Sequence, residues 1–160
     1  MKHASANSEC KTIEQLIEKE MSKNIHVLNG MNNGKLGHKE GDPYYKYESA
    51  SRTILRLLYF LTLLTHLIKN LKTYPEELVS NIAKKSYEDS IEKFHPAVLR
   101  EGIKAAFMTV PTRKEFMENA FGMTDKQQFS NTLEEILKPL ATFVGRVWKY
   151  YKDKKIATLE

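Results

Sequence analysis

The sequence has a single cysteine, Cys10. An internal disulfide is therefore excluded, a metal cluster built on thiolates has no support, and Cys10 reads as an inert thiol in a reducing compartment. Long hydrophobic runs are missing as well. The leucine-rich stretch from Ile54 to Ile68 is interrupted by Arg56, Thr62, Thr65 and His66, so it reads as a core helix too short for a bilayer. The opening MKHASANSEC has no apolar stretch long enough for a secretory leader. No segment keeps the apolar–polar alternation of a strand, and an all-α chain follows.

The signatures of common enzyme chemistry are absent too. There is no histidine pair at metal-ligand spacing, no glycine-rich phosphate loop between strand and helix, and no nucleophile elbow. Aspartates and glutamates fall on the polar faces of predicted helices, where carboxylates are ordinarily solvated. The chain therefore reads as a non-enzyme with no metal or cofactor. Nucleic-acid binding is disfavoured because the aromatics follow core positions instead of alternating with lysines.

What is present is the composition of a soluble globular protein, 41% hydrophobic and 28% charged, expected as one domain over residues 1–160. The net charge of +5 favours an anionic partner such as a nucleic acid or the cytoplasmic face of a membrane. The lysines are spread from Lys2 to Lys155, and the densest group, KYYKDKK, ends a helical pattern where cations complement the helix dipole.

Apolar spacing predicts a first helix over 11–23, opened by a capping box of Thr12 and Gln15. Residues 24–47, with Gly30, Gly34, Gly37, Gly41 and Pro43, read as a flexible loop, and 48–155 as a helical core. In that core a central helix runs over 48–71, and Pro75 fits the first turn of the next. Leu78, Val79, Ile82, Ala83, Tyr87, Ile91 and Phe94 trace one face of that helix. Further helices are expected from Pro96 to Met108, over 113–119, and from about Asp125 onward with a kink at Pro139.

One stretch stands out. SRTILR places Arg52 and Arg56 one turn apart at the start of the central helix, although the chain has only five arginines against twenty lysines. Steps of three and four from Arg52 pass through Arg56, Tyr59 or Phe60, Leu63 and Leu67, so one face is cationic first and apolar further down. That gradient fits a pocket receiving an anionic head ahead of an oily tail, and two guanidinium forks suit a phosphate. The residues alone leave a second reading open, in which Arg52 pairs with Glu48 and both arginines lie in solvent. His95, before Pro96 at a helix start, either donates to the same ligand or serves as a structural capping group.

At these residues the sequence resembles the glycolipid transfer protein superfamily, and in particular its ceramide-1-phosphate transfer branch. The resemblance is carried by SRTILRLLYFL, by SYEDSIEKFHPAVLREGIKAAFMTVPTRKEFMENAF and, more weakly, by the closing RVWKYYKDK. It implies a two-layer all-α helical sandwich that holds one sphingolipid and carries it between membranes without chemistry. It also implies that Arg52 and Arg56 grip the lipid phosphate, that His95 joins them, and that Leu63, Ile91, Ile103 and Phe107 line the hydrocarbon pocket. An arginine at position 56, where the glycolipid-selective branch has a sugar-stacking tryptophan, points to phosphate.

Two departures accompany the resemblance. Ala97 stands where the branch has a membrane-docking tryptophan, which implies weaker interfacial anchoring. CKTIEQLIEKEM looks like the family's third helix, so the fold is expected N-terminally truncated, without the aspartate and lysine carried by the two preceding helices. An incomplete gene product, a partner or second copy covering the open face, and a divergent protein that no longer transfers lipid are the alternatives this raises. The resulting expectation is a cytoplasmic carrier of ceramide 1-phosphate, transiently at anionic membranes. A degenerate helical protein-interaction module and a neutral glycosphingolipid carrier are the rivals.

Overall fold

The computed structural model describes residues 10–30 and 33–158, so most of the MKHASANSEC stretch and two residues of the 24–47 loop lie outside it. Among the described residues there are six α-helices: α1 Ile13–Ser22, α2 Ala50–Thr73, α3 Val79–Ser90, α4 Ala97–Ala106, α5 Arg113–Phe121 and α6 Lys126–Asp153. Among the described residues extended pairing is limited to one isolated bridge between Asn29 and Glu48. The chain divides into two compact units, Met1–Leu57 with Tyr151–Glu160, and Leu58–Tyr150.

In the first unit Thr12 caps α1 by accepting from the Gln15 amide at 3.2 Å. The Gln15 side chain takes the Lys11 amide at 2.8 Å, so the reciprocal half of the expected capping box lands one residue earlier. Residues 24–47 carry more organisation than their glycines imply. Ile25, Leu28 and Tyr47 form a small core of their own, with Val27 and Tyr44 packed against it. The buried Asn33 side chain accepts from the Asn29 amide at 3.0 Å and donates to the carbonyls of Tyr44 at 2.7 Å and Tyr47 at 2.9 Å. One amide side chain thus closes the loop on itself, because a buried polar group is costly unless paired. The end of the chain joins this unit through the fully buried Tyr151, whose hydroxyl donates to the Ser51 carbonyl at 2.7 Å.

The core of the second unit is Ile68 and Leu71 of α2, Val79 and Ile82 of α3, Met117 of α5, and Phe129 and Leu133 of α6. Arg113 ties the C-terminal end of α2 by donating to the carbonyls of Leu71 at 3.1 Å and Tyr74 at 2.8 Å, a cation on carbonyls that the helix leaves unsatisfied. α5 opens with a capping box between Thr112 and Glu115 and closes on Gly122, which is left-handed at φ 64°.

Three sequence expectations change. Pro75 does not open a helix: α2 runs to Thr73, the Glu77 amide bonds the Tyr74 carbonyl, and Pro75 is used in that turn. α3 then begins at Val79, and Leu78 is 66% exposed instead of buried on its face. Phe94 ends a 3-10 turn, because His95 precedes a proline and takes the extended conformation, φ −106° and ψ 137°, that such residues prefer. Finally, α2 is long and apolar enough by length and composition to cross a bilayer, although the broken leucine run reads as too short; only 28% of its most apolar window is buried.

Gly122→Ala adds a Cβ that meets nothing within 4 Å, so only the left-handed backbone resists it, and denaturant unfolding should show a loss of about 1 kcal/mol. The Thr112 side chain and amide hold the Glu115 carboxyl below its ordinary value. The contribution of this cap is therefore complete above the usual glutamate range and is lost as pH falls through the lowered value. Glu115→Gln should flatten that acid-side dependence in thermal melts.

Candidate functional site

The first turns of α2 belong to the first unit and set the arginine pair. Arg52 is half-buried, its amide donating to Ser49 Oγ at 3.2 Å and its guanidinium to the Val27 carbonyl at 3.4 Å. Arg56, one turn on, is exposed. Two cations at a helix N-terminus stand at the positive end of the dipole, where acidic residues are favoured, so they add to the local potential instead of offsetting it. Two guanidinium forks on one face have a geometry that suits a phosphate.

Beneath them the first unit contains a group the sequence reading missed. Glu20 of α1 is 1% exposed and accepts from the Ala50 amide at 2.7 Å and the Ser51 amide at 2.9 Å. The hydroxyls of Tyr47, Ser49 and Ser51 also donate to it, at 2.7, 2.9 and 2.6 Å. With Ser49 Oγ taking the Arg52 amide, the first three N–H groups of α2 are all satisfied.

His95 lies in the second unit, in the extended residue between the 3-10 turn and α4. Its Nδ1 is 2.8 Å from the hydroxyl of the fully buried Tyr87. Burial, and then the negative charge of Glu92, push the Tyr87 phenol up, against smaller opposing effects of Arg100 and Lys104. The phenol keeps its proton, so the two groups are joined through a hydroxyl that can pair with either form of Nδ1. The turn before His95 is held by aromatic stacking. The Phe94 ring lies 4.3 Å from that of Tyr59 and 6.3 Å from that of Trp148, and Trp148 Nε1 donates to Thr62 Oγ1 at 2.7 Å. Lys104 fastens α4 to the same turn through Glu92 at 2.7 Å.

Of the residues expected to line a hydrocarbon pocket, Ile91 is buried, while Leu63, Ile103 and Phe107 are half-buried. The Phe107 ring sits edge-on to Tyr87 at 5.7 Å, so Phe107 and His95 share Tyr87 as a neighbour. A separate cavity of about 660 Å³ opens beyond the C-terminal end of α2, walled by Leu78, Val79, Val110, Met117 and Met123, and none of those four residues lines it. Among the described residues no group of three or more His, Cys, Asp and Glu gathers as metal ligands would.

Sequence reasoning singled out Arg52, Arg56 and His95 as candidates and passed over Glu20, Tyr87 as a partner of His95, and the Tyr59–Phe94–Trp148 stack. Tyr87 was legible only as one more apolar-face residue, and Glu20 as one more acid on a short helix. The serines of YESAS were the available signal, since three small donors before a long helix invite a cap.

Comparison with known proteins bears on this arrangement. The sequence profile of the glycolipid transfer protein family matches residues 1–122. The ceramide-1-phosphate transfer protein of Homo sapiens is 34% identical over 117 residues, 70% of this chain and 52% of that protein. That of Xenopus tropicalis is 31% identical over 142 residues, 88% of this chain and 57% of that protein. The chain thus spans little more than half the length of these relatives. The crystal structure of human ceramide-1-phosphate transfer protein with 12:0 ceramide-1-phosphate superposes with a TM-score of 0.76 at 26% identity, covering 94% of this chain and 66% of that one. The complex with 2:0 ceramide-1-phosphate gives 0.75 at 27% identity, over 92% and 65%.

Tyr87→Phe removes the hydroxyl that pairs with His95 Nδ1. In ¹⁵N spectra of the imidazole the Nδ1 resonance should shift in the variant while that of Nε2 moves less.

Proposed function

Since the chain belongs to the glycolipid transfer protein family, we propose that it is a non-enzymatic carrier that binds ceramide 1-phosphate and moves it between membranes. The observation that carries this reading is the placement of Arg52 and Arg56 on one face at the start of a long apolar helix. The family resemblance assigns Arg52, Arg56 and His95 to the phosphate. Leu63, Ile91, Ile103 and Phe107 take the hydrocarbon chains. Burial of the chains supplies most of the affinity, at about 0.8 kcal/mol per buried CH₂, and the guanidinium groups supply selection for phosphate over sugar.

Delivery takes place from the cytoplasm at anionic membrane surfaces. The net charge of +5 favours such visits. The apolar side chains of Val98, 88% exposed, and Leu99 in the first turn of α4, and of Met108 just after it, can enter the interface where Ala97 offers no aromatic anchor.

A second reading rests on a different observation. Phe60, Ile136 and Phe143 of the second unit are exposed, and apolar surface of this kind is what a second copy or a partner chain would cover. In that reading the fold is an interaction module. A third ligand class, neutral glycosphingolipid, is separated by competition with galactosylceramide.

Vesicle-to-vesicle transfer of fluorescent ceramide 1-phosphate tests the proposal. The double substitution of Arg52 and Arg56 by Ala should lower transfer about tenfold or more, as loss of charge-assisted bonds of roughly 1.5–3 kcal/mol each implies. Transfer unchanged by the double substitution removes the phosphate assignment, and an intact chain that transfers nothing while sedimenting as a dimer favours the second reading.

A further inference from the structure

We infer that Glu20 is the positioning residue of the phosphate grip, an inference that rests on the reading of Arg52 and Arg56 given above. Glu20 touches no ligand. Its two carboxylate oxygens divide the start of α2 between them: Oε1 takes the Ala50 amide and the Tyr47 hydroxyl, while Oε2 takes the Ser51 amide and the hydroxyls of Ser49 and Ser51.

Every one of these five donors is neutral, so the carboxylate is held by oriented dipoles at the positive end of a helix and has not been matched to a cation. This matters for the arginines. The acid is spent on backbone amides and hydroxyls of the turn that carries Arg52. Arg52 is the residue immediately after Ser51, and its amide bonds Ser49 Oγ, which itself donates toward Glu20 and the His26 carbonyl. From the other side Tyr151 donates to the Ser51 carbonyl. The turn that projects Arg52, and Arg56 above it, is therefore clamped at its amides by Glu20 and at its carbonyl by Tyr151.

A binding group acts well only when its backbone cannot drift, because looseness of about 1 Å is enough to break bidentate geometry. Glutamine at position 20 keeps the shape but replaces one acceptor oxygen with an NH₂ that meets a donor, so one end of the clamp opens. Ser51→Ala is the milder change and deletes one donor while keeping the carboxylate.

The test compares transfer of fluorescent ceramide 1-phosphate with transfer of fluorescent ceramide, which lacks the phosphate, between phosphatidylcholine vesicles, using the full chain. Amide exchange at Ala50 and Ser51 reports the clamp itself. Glu20→Gln should reduce the preference for the phosphorylated lipid about tenfold, and Ser51→Ala about threefold, with ceramide transfer retained and the two amides exchanging faster. A merely structural Glu20 lowers both lipids together, or lowers the melting temperature alone, and leaves the preference where it was; that result overturns the inference. If Glu20→Gln does not fold, Ser51→Ala decides by the same criterion. Arg52→Ala is the control that separates the two claims: a preference unaffected by Arg52→Ala means the phosphate reading has failed, whereas a preference lost in Arg52→Ala but intact in the Glu20 and Ser51 variants means only the positioning role has failed.

Discussion

A carboxylate buried at the foot of a helix is the constraint around which the first unit is arranged. Removing an ionised group from water is very costly unless hydrogen bonds replace its hydration, and Glu20 has five. Satisfying it dictates what surrounds it. Tyr47 must arrive from the loop, Ser49 and Ser51 must flank the helix start, and α1 must present its last turn to that point. In return the carboxylate provides acceptors for amides that a helix beginning at Ala50 cannot satisfy internally. The loop over 24–47 is ordered by the same logic at smaller scale, with Asn33 closing it through three hydrogen bonds.

The same helix carries a local contradiction. Acidic residues belong at a helix N-terminus, yet no acid occupies the first turn of α2, and arginines stand in its first and second turns on one face. The acid is supplied from α1 and buried, which leaves the outward side of the turn cationic. Violations of a local rule that are compensated from elsewhere in the fold are where function tends to be found.

In the second unit a proline does comparable work. Pro96 holds His95 out of helical conformation, so α3 gives way to a 3-10 turn and α4 starts afresh at Ala97. His95 is thereby left on an extended residue, with Phe94 stacked on Tyr59 before it and the Tyr87 hydroxyl on its Nδ1. The contact follows from burial of Tyr87, since a buried phenol hydroxyl needs a hydrogen-bond partner.

The sequence by itself determined the all-α class, the approximate positions of the helices, the arginine pair on one face and the histidine before proline, because each is written in local spacing: three- and four-residue periodicity, an i,i+4 pair, and the steric effect of a pyrrolidine ring on its predecessor. It misjudged Leu78 and Pro75 because a turn after a helix and the first turn of a helix accept proline equally. Only the tertiary structure decided that Glu20 is a cap thirty residues away from the amides it serves, and that the Tyr87 hydroxyl pairs with His95. Pairings of this kind depend on which surfaces become buried together. Desolvation gives a polar contact its value, and desolvation has no signature in the spacing of a single chain.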